Sequence, residues 1–123
     1  MVLLDTSMWI ESLRRHGKAD IRKRVDELLA SDQAVWCDIV RLELWNGARG
    51  SEEHRALRYL ETVVRSLPID GDVWHQSFEL ARKARAGGLT APAPDLMIVA
   101  CGQRHQVSVE SCDSHFELLT RFR

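Results

Sequence analysis

The sequence alternates four short apolar runs with longer segments in which apolar residues recur every three or four positions. Short apolar runs are typical of strands buried on both faces, and the longer segments are typical of amphipathic helices. Strands that alternate with helices are joined by right-handed crossovers and form a mostly parallel sheet. The sequence therefore predicts an α/β fold.

The predicted elements account for nearly the whole chain, without a linker, an internal repeat or a low-complexity segment. With 123 residues, of which 45% are hydrophobic, the chain has the size and composition of one globular domain covering 1–123. The predicted strands cover 2–5, 34–37, 67–69 and 107–111. The predicted helices cover about 8–15, 18–30, 39–47, 52–65, 71–86 and 95–104, and a last short helix opens at Asp113.

The formal net charge of −1 gives no electrostatic reason for the chain as a whole to bind nucleic acid tightly. It does not exclude a nucleic-acid enzyme, because the carboxylates of an active site offset basic patches in the sum. Arg14, Arg15 and Lys18 form one such patch, which could contact a phosphate backbone or could be a solvated helix face.

Three cysteines, Cys37, Cys101 and Cys112, are an odd number without CxxC spacing, as expected for buried thiols in a reducing compartment. The N-terminus lacks the basic and apolar regions of a signal peptide, and no apolar run reaches the length of a membrane span. We therefore expect a soluble cytoplasmic protein that does not associate with membranes. No motif indicates an organic cofactor.

Four acidic residues stand in apolar surroundings, whereas most other acids lie among charged residues. Asp5 follows the first strand, Asp113 follows the fourth, and Glu43 and Asp95 lie on helices. Functional groups of parallel sheets collect at the carboxyl ends of the strands, so these four acids are expected to converge. Clustered carboxylates repel each other unless a cation joins them, and oxygen ligands favour Mg²⁺ or Mn²⁺.

Each acid also has a purely structural interpretation. Asp5 and Asp113 could be helix N-caps, and Asp95 could interact with the dipole of its own helix. Glu43 could be a partly exposed helix residue that pairs with Arg41 or Arg49. It is the combination of four such acids that favours a metal-binding site.

Several polar residues near these acids are candidates for supporting roles. Thr6 and Ser7 could bond phosphate oxygens or simply cap the first helix. Ser111 could position an oxygen of Asp113 or a metal-bound water, or only end a strand. The remaining candidates are Asn46, one turn after Glu43, and His115, which is more readily a neighbour of the ligands than a ligand.

Four segments, in this order and near these separations, resemble the PIN-domain nucleases, and most closely the VapC toxins of bacterial VapBC toxin–antitoxin pairs. The segments are "LLDTSMWI", "RLELWNGA", "APAPDLMIVACGQRH" and "ESCDSHFELL". The resemblance covers essentially the whole chain. It implies a three-layer α/β/α sandwich and Mg²⁺- or Mn²⁺-dependent endoribonuclease activity on tRNA or rRNA. It also implies a catalytic and metal-binding set of Asp5, Glu43, Asp95 and Asp113.

The same resemblance implies a homodimer and a VapB-like antitoxin that covers the acids. Two positions depart from the family's usual pattern. Ser111 stands where the family often has threonine, and His115 stands where it often has a further aspartate.

Three other interpretations of the chain remain open at this point. A haloacid-dehalogenase-like phosphatase needs a second aspartate two residues after the first, where this chain has Ser7. A receiver-like signalling domain needs a lysine late in the chain, and none follows Lys83. The third is a catalytically inactive PIN fold that serves as a binding module.

Overall fold

A computed structural model describes all residues from Met1 to Arg123. Its four strands form one sheet in the order β3-β2-β1-β4, and every neighbouring pair is parallel. The strands are β1 (Val2–Leu4), β2 (Ala34–Cys37), β3 (Arg65–Leu67) and β4 (Ser108–Glu110). The helices are α1 (Thr6–Leu13), α2 (Ala19–Ala30), α3 (Asp38–Gly47), α4 (Gly50–Val63), α5 (Gly71–Ala86), α6 (Ala93–His105) and α7 (His115–Thr120).

The two central strands are apolar because both of their faces are covered. Every residue of β1 and β2 is buried, as expected for inner strands of a parallel sheet. Beside them Trp9 packs against Trp36 with ring centroids 5.4 Å apart, and its indole N–H donates to the carbonyl of Leu4. The central strands and these two rings form the middle of a single hydrophobic core.

The helices form a layer on each face of the sheet. Successive crossovers from β1 to β2 to β3 run in one direction, and right-handed connections place α1 to α4 on one face. The connection from β3 back to β4 runs in the opposite direction and places α5 and α6 on the other face, where they pack together. This is the predicted three-layer α/β/α sandwich. None of the seven helices has the length and apolar character needed to cross a lipid bilayer.

The main difference from the predicted elements is the third strand. It covers Arg65–Leu67 rather than 67–69, so it pairs through two exposed polar residues and only one apolar residue. The apolar run after it contains Pro68, which lacks the N–H that a strand ladder needs. As an edge strand, β3 has less need for apolar residues than the strands inside the sheet.

Four helix starts also differ by two residues from the prediction. Helices α1, α4 and α6 begin earlier than expected, at Thr6, Gly50 and Ala93, and the last helix begins at His115 rather than at Asp113. Asp113 instead opens the turn before α7, where its carbonyl accepts the N–H of Phe116.

The direction of chain connection reverses between β1 and β4. In parallel α/β sheets, ligands bind outside the carboxyl ends of the strands at such a switch point. Asp5 follows β1 directly, and its N–H donates to the carbonyl of Glu110 at the end of β4. The fold thus brings the ends of these two strands side by side.

Candidate active site

Asp5 is a buried carboxylate with three hydrogen-bond donors. Only 3% of the residue is exposed. Its Oδ1 accepts the hydroxyl of Ser7 at 2.6 Å and the amide of Met8 at 3.2 Å, and its Oδ2 accepts the hydroxyl of Ser111 at 2.7 Å. Burial raises the pKa of Asp5, the three donors partly oppose this, and the charge of Asp113 raises it further.

The bond from Met8 makes Asp5 the N-cap of α1. The expectation that Thr6 or Ser7 caps this helix was therefore wrong, because both residues lie inside its first turn. Their hydroxyls are consequently free to bond other groups. The cap and the site role proposed for Asp5 are compatible, because a cap uses only part of the lone-pair capacity of a carboxylate.

Ser111 and Asp113 complete this end of the site on the β4 side. The Ser111 hydroxyl, besides donating to Asp5, accepts the backbone N–H of Asp113 at 2.9 Å. The Ser7 hydroxyl lies 3.3 Å from that of Ser111 and accepts the N–H of Cys112 at 3.0 Å. These bonds fix the segment after β4 against the start of α1, with the exposed Asp113 beside the buried Asp5.

Glu43 reaches the site from α3. Its Oε1 accepts the hydroxyl of Thr6 at 2.6 Å, so adjacent residues of α1 bond two different acids: Thr6 bonds Glu43 and Ser7 bonds Asp5. Asn46, one turn further along α3, is exposed and makes no side-chain hydrogen bond. The structure therefore gives Asn46 no hydrogen bond with the four acids.

Asp95 is held by a histidine from the last helix. Its Oδ2 lies 2.7 Å from Nε2 of His115, the first residue of α7. Asp95 is the third residue of α6, and its negative charge near the helix N-terminus is favourable. Asp95 is thus the acid that His115 contacts, and the supporting role of His115 in the site stays a prediction.

The four acids are connected through neighbouring side chains rather than gathered into one ligand cluster. Asp5 and Asp113 share Ser111, Glu43 is joined to the residue after Asp5, and Asp95 is joined to a residue two positions after Asp113. No three acidic, histidine or cysteine side chains meet at distances that would hold one ion. Hydroxyl and imidazole donors occupy carboxylate oxygens instead, as expected for charged groups that repel one another.

The donor set is chemically suited to a hard divalent cation. It consists of four carboxylates and three hydroxyls, with one imidazole at its border, and Mg²⁺ and Mn²⁺ prefer oxygen ligands. A buried carboxylate that remains ionised also needs a compensating positive charge, and no lysine or arginine bonds Asp5. The chemistry of these residues therefore suits a Mg²⁺ or Mn²⁺ ion.

Residues 2–121 match the PIN domain family. This chain is a PIN-domain protein. It is 30% identical to ribonuclease VapC21 of Mycobacterium tuberculosis, over 94% of this chain and 83% of that protein. It is 28% identical to ribonuclease VapC11 of the same species, over 98% and 92%.

Among solved structures, the fold is similar to that of VapBC-1 from nontypeable Haemophilus influenzae. The TM-score is 0.76 at 22% identity, covering 98% of this chain and 93% of that one. The recognition made from the four sequence segments is thus confirmed, and the match sets aside the phosphatase and receiver alternatives. The PIN-domain fold provides the sheet order that places Asp5 beside the end of β4.

A cavity that was not predicted from the sequence adjoins the site. It has a volume of about 300 Å³, and Glu43 lines it together with two arginines, Arg14 and Arg49. Arg14 belonged to the predicted basic patch, but Lys18 does not line this cavity. Sequence named Arg49 only as a possible partner of Glu43, with which it forms no ion pair; the fold, not local sequence, brings the turn between α3 and α4 next to the end of α1.

Proposed function

We propose that this PIN-domain protein is a divalent-metal-dependent endoribonuclease and the toxin of a type II toxin–antitoxin pair. The observation that carries the proposal is Asp5, a buried carboxylate at the switch point of the sheet with hydroxyl donors and no cationic partner. Similarity to VapC ribonucleases over nearly the whole chain supports RNA as the substrate.

Asp5, Asp95, Asp113 and Glu43 are the residues that would hold Mg²⁺ or Mn²⁺. When bound, such an ion lowers the pKa of a water molecule and neutralises charge on the phosphodiester. This chemistry needs negative ligands in fixed positions: hydrogen bonds hold the carboxylates of Asp5, Glu43 and Asp95, and Asp113 is held through its backbone N–H.

The residues of the chain supply the orientation for hydrolysis. Ser7 and Ser111 fix both oxygens of Asp5, and Thr6 fixes one oxygen of Glu43, leaving its other oxygen free to accept a proton from an attacking water. His115 restrains Asp95 in the same way. By resemblance to the family, the products carry 5′-phosphate and 3′-hydroxyl ends.

We further propose a cytoplasmic homodimer that is silenced by a VapB-like antitoxin and cleaves tRNA or rRNA. The solved relative from Haemophilus influenzae is a VapBC complex, which supports an antitoxin partner for this chain. An antitoxin that covers Asp5 and Asp113 would block access to the acids.

The decisive experiment compares Asp5→Asn with the wild type in a cleavage assay on total RNA with Mn²⁺, Mg²⁺ or EDTA. The substitution keeps the shape and the capping ability of Asp5 but removes its charge, so we expect cleavage to fall by about 10³-fold or more. The matched control is Asp26→Asn, which removes an exposed carboxylate on α2 and should leave cleavage unchanged.

Cleavage by Asp5→Asn at the wild-type rate would show that the site is elsewhere. Absence of metal-dependent cleavage by the wild type, on RNA that it binds, would favour the inactive binding module instead. Cleavage that persists in EDTA would contradict metal dependence.

A further inference from the structure

A basic cleft leads away from the acidic site on the α1–α4 face of the sheet. The cavity beside Glu43 adjoins a second one of about 570 Å³, and the two share Leu13, Arg14, Arg49 and Glu53 as lining residues. Of these two cavities, Arg15 and Arg22 line the second but not the first. A continuous path therefore runs from Glu43 between the end of α1 and the start of α4.

The charge of this cleft is opposite to that of the site. Four arginines and two glutamates line the second cavity, an excess of two positive charges in a chain whose total is −1. One of the glutamates, Glu53, accepts the backbone N–H of Arg49 at 3.0 Å. Glu53 therefore bonds the backbone at the start of α4 and does not pair with a guanidinium.

Two of the arginines are free to bind a ligand. Neither Arg15 nor Arg49 takes part in an ion pair. Arg14 has only a 3.5 Å contact with Glu11, and its side chain is 62% exposed. Arg22 donates to the carbonyls of Arg14 and Arg15, so it holds the end of α1 in place.

We propose that this cleft, defined by Arg14, Arg15 and Arg49, binds the phosphates of the RNA strand on one side of the scissile bond. The inference rests on the proposed nuclease function. When the reacting phosphate of an RNA strand lies at the acids, the next phosphates of that strand must lie away from them, because four carboxylates repel a polyanion. Unpaired guanidiniums starting beside Glu43 offer the compensating contacts, and their fork geometry suits phosphate oxygens.

The test measures RNA binding separately from cleavage. In the Asp5→Asn background and in EDTA, the affinity for a fluorescein-labelled tRNA pool is measured by anisotropy at several salt concentrations. Arg15→Gln and Arg49→Gln should each weaken binding about 3- to 10-fold, and the double variant should weaken it further. The slope of log affinity against log salt should fall by about 0.7–0.9 for each phosphate that the variant no longer neutralises.

The matched control is Arg58→Gln, which removes an exposed arginine of α4 that lines neither cavity and forms no ion pair. It should bind within twofold of the parent. In the active enzyme, Arg49→Gln should raise KM while kcat changes little. Melting curves verify that each variant is folded, and Arg49→Lys, which keeps the charge, should recover most of the affinity.

Wild-type-like binding by the double variant, or an equal loss in Arg58→Gln, would overturn the proposal. Poly-L-glutamate probes the alternative of an acidic polypeptide occupant. The cleft is a protein-binding surface if the Asp5→Asn parent binds poly-L-glutamate more tightly than tRNA and the arginine variants lose affinity for poly-L-glutamate only. Arginine-dependent RNA binding without any cleavage by the wild type would refute the nuclease and leave the cleft assignment standing.

Discussion

Asp5 combines two roles that sequence reasoning treated as alternatives. It caps α1 through the N–H of Met8, and it presents a buried carboxylate at the switch point of the sheet. The cap explains why the residue is tolerated there, since three donors offset part of the desolvation cost. The raised pKa of Asp5 reflects the part of the desolvation cost that these donors do not offset.

That raised pKa gives a testable stability effect for Asp5→Asn in metal-free buffer. A carboxyl with a higher pKa in the folded state than in the unfolded state binds more protons when folded. Its contribution to stability therefore falls as pH rises, and the penalty is complete above the folded-state pKa. We expect Asp5→Asn to melt higher than the wild type at pH 7, with the difference shrinking as the pH falls below that pKa.

The measurement is thermal unfolding followed by circular dichroism in EDTA between pH 4 and pH 8. Asp26→Asn serves as the control, because an exposed carboxylate has no burial penalty to relieve. A lower melting temperature for Asp5→Asn throughout this range would mean that the weakened hydrogen bonds outweigh the relief of burial.

At the scale of elements, a close contact joins α6 to the end of the sheet. A Cβ placed on Gly102 would lie 2.5 Å from Cγ2 of Val109 and 2.9 Å from the carbonyl oxygen of Val107. Only glycine lets α6 approach β4 so closely. Because α6 carries Asp95 and β4 leads to Asp113, this contact sets how far apart two of the four acids lie.

We expect Gly102→Ala to destabilise the fold by about 1–3 kcal/mol, because the added methyl forces α6 away from β4. Cleavage should decrease as well, since Asp95 moves with its helix. Gly71→Ala is the matched control: a Cβ there meets nothing within 4 Å, so stability should change by no more than about 0.5 kcal/mol. Chemical denaturation of both variants tests this, and an unchanged midpoint for Gly102→Ala would contradict it.

The elements that sequence predicts well are those whose signal is local. Strands β1 and β2 and helix α5 lie where apolar runs and helical periodicity place them, because burial on both faces or on one stripe leaves a clear pattern. The edge strand β3 carries no such pattern, and its predicted position was displaced toward the apolar residues around Pro68.

In the site, too, sequence predicts some contacts and not others. Strand order alone brings residues that follow β1 and β4 together, so Asp5, Ser111 and Asp113 could be predicted to meet. The bonds from Thr6 to Glu43 and from His115 to Asp95 depend on how separate helices pack. Sequence could nominate these residues but could not pair them, and it suggested Arg49 only as a partner of Glu43, not as a residue that lines a cavity.

At the scale of the molecule, the acids and the basic cleft form one extended surface of opposite charges on a nearly neutral protein. Separation of charge on this scale is hidden in the net charge of −1. It suits a substrate that needs a divalent cation at one point and guanidiniums along the rest of its path.

A divalent cation that binds only the folded protein should raise its melting temperature. At a hundredfold excess over Kd the gain is about 2.7 kcal/mol, or about 10 °C for a domain of this size. We expect Mn²⁺ to produce such a shift in the wild type and in Asp26→Asn, and a much smaller one in Asp5→Asn. Differential scanning fluorimetry measures it, and an equal shift in all three proteins would place the bound ion away from Asp5.

The pairing of β1 with β4 has a consequence for how such a chain is made. Strand β1 occupies the interior of the sheet, and one of its partners, Ser108–Glu110, is translated more than one hundred residues later. Asp5 cannot meet Ser111 and Asp113 before then. The acidic centre of a chain still being translated therefore stays unassembled until β4 and the residues after it have been synthesised.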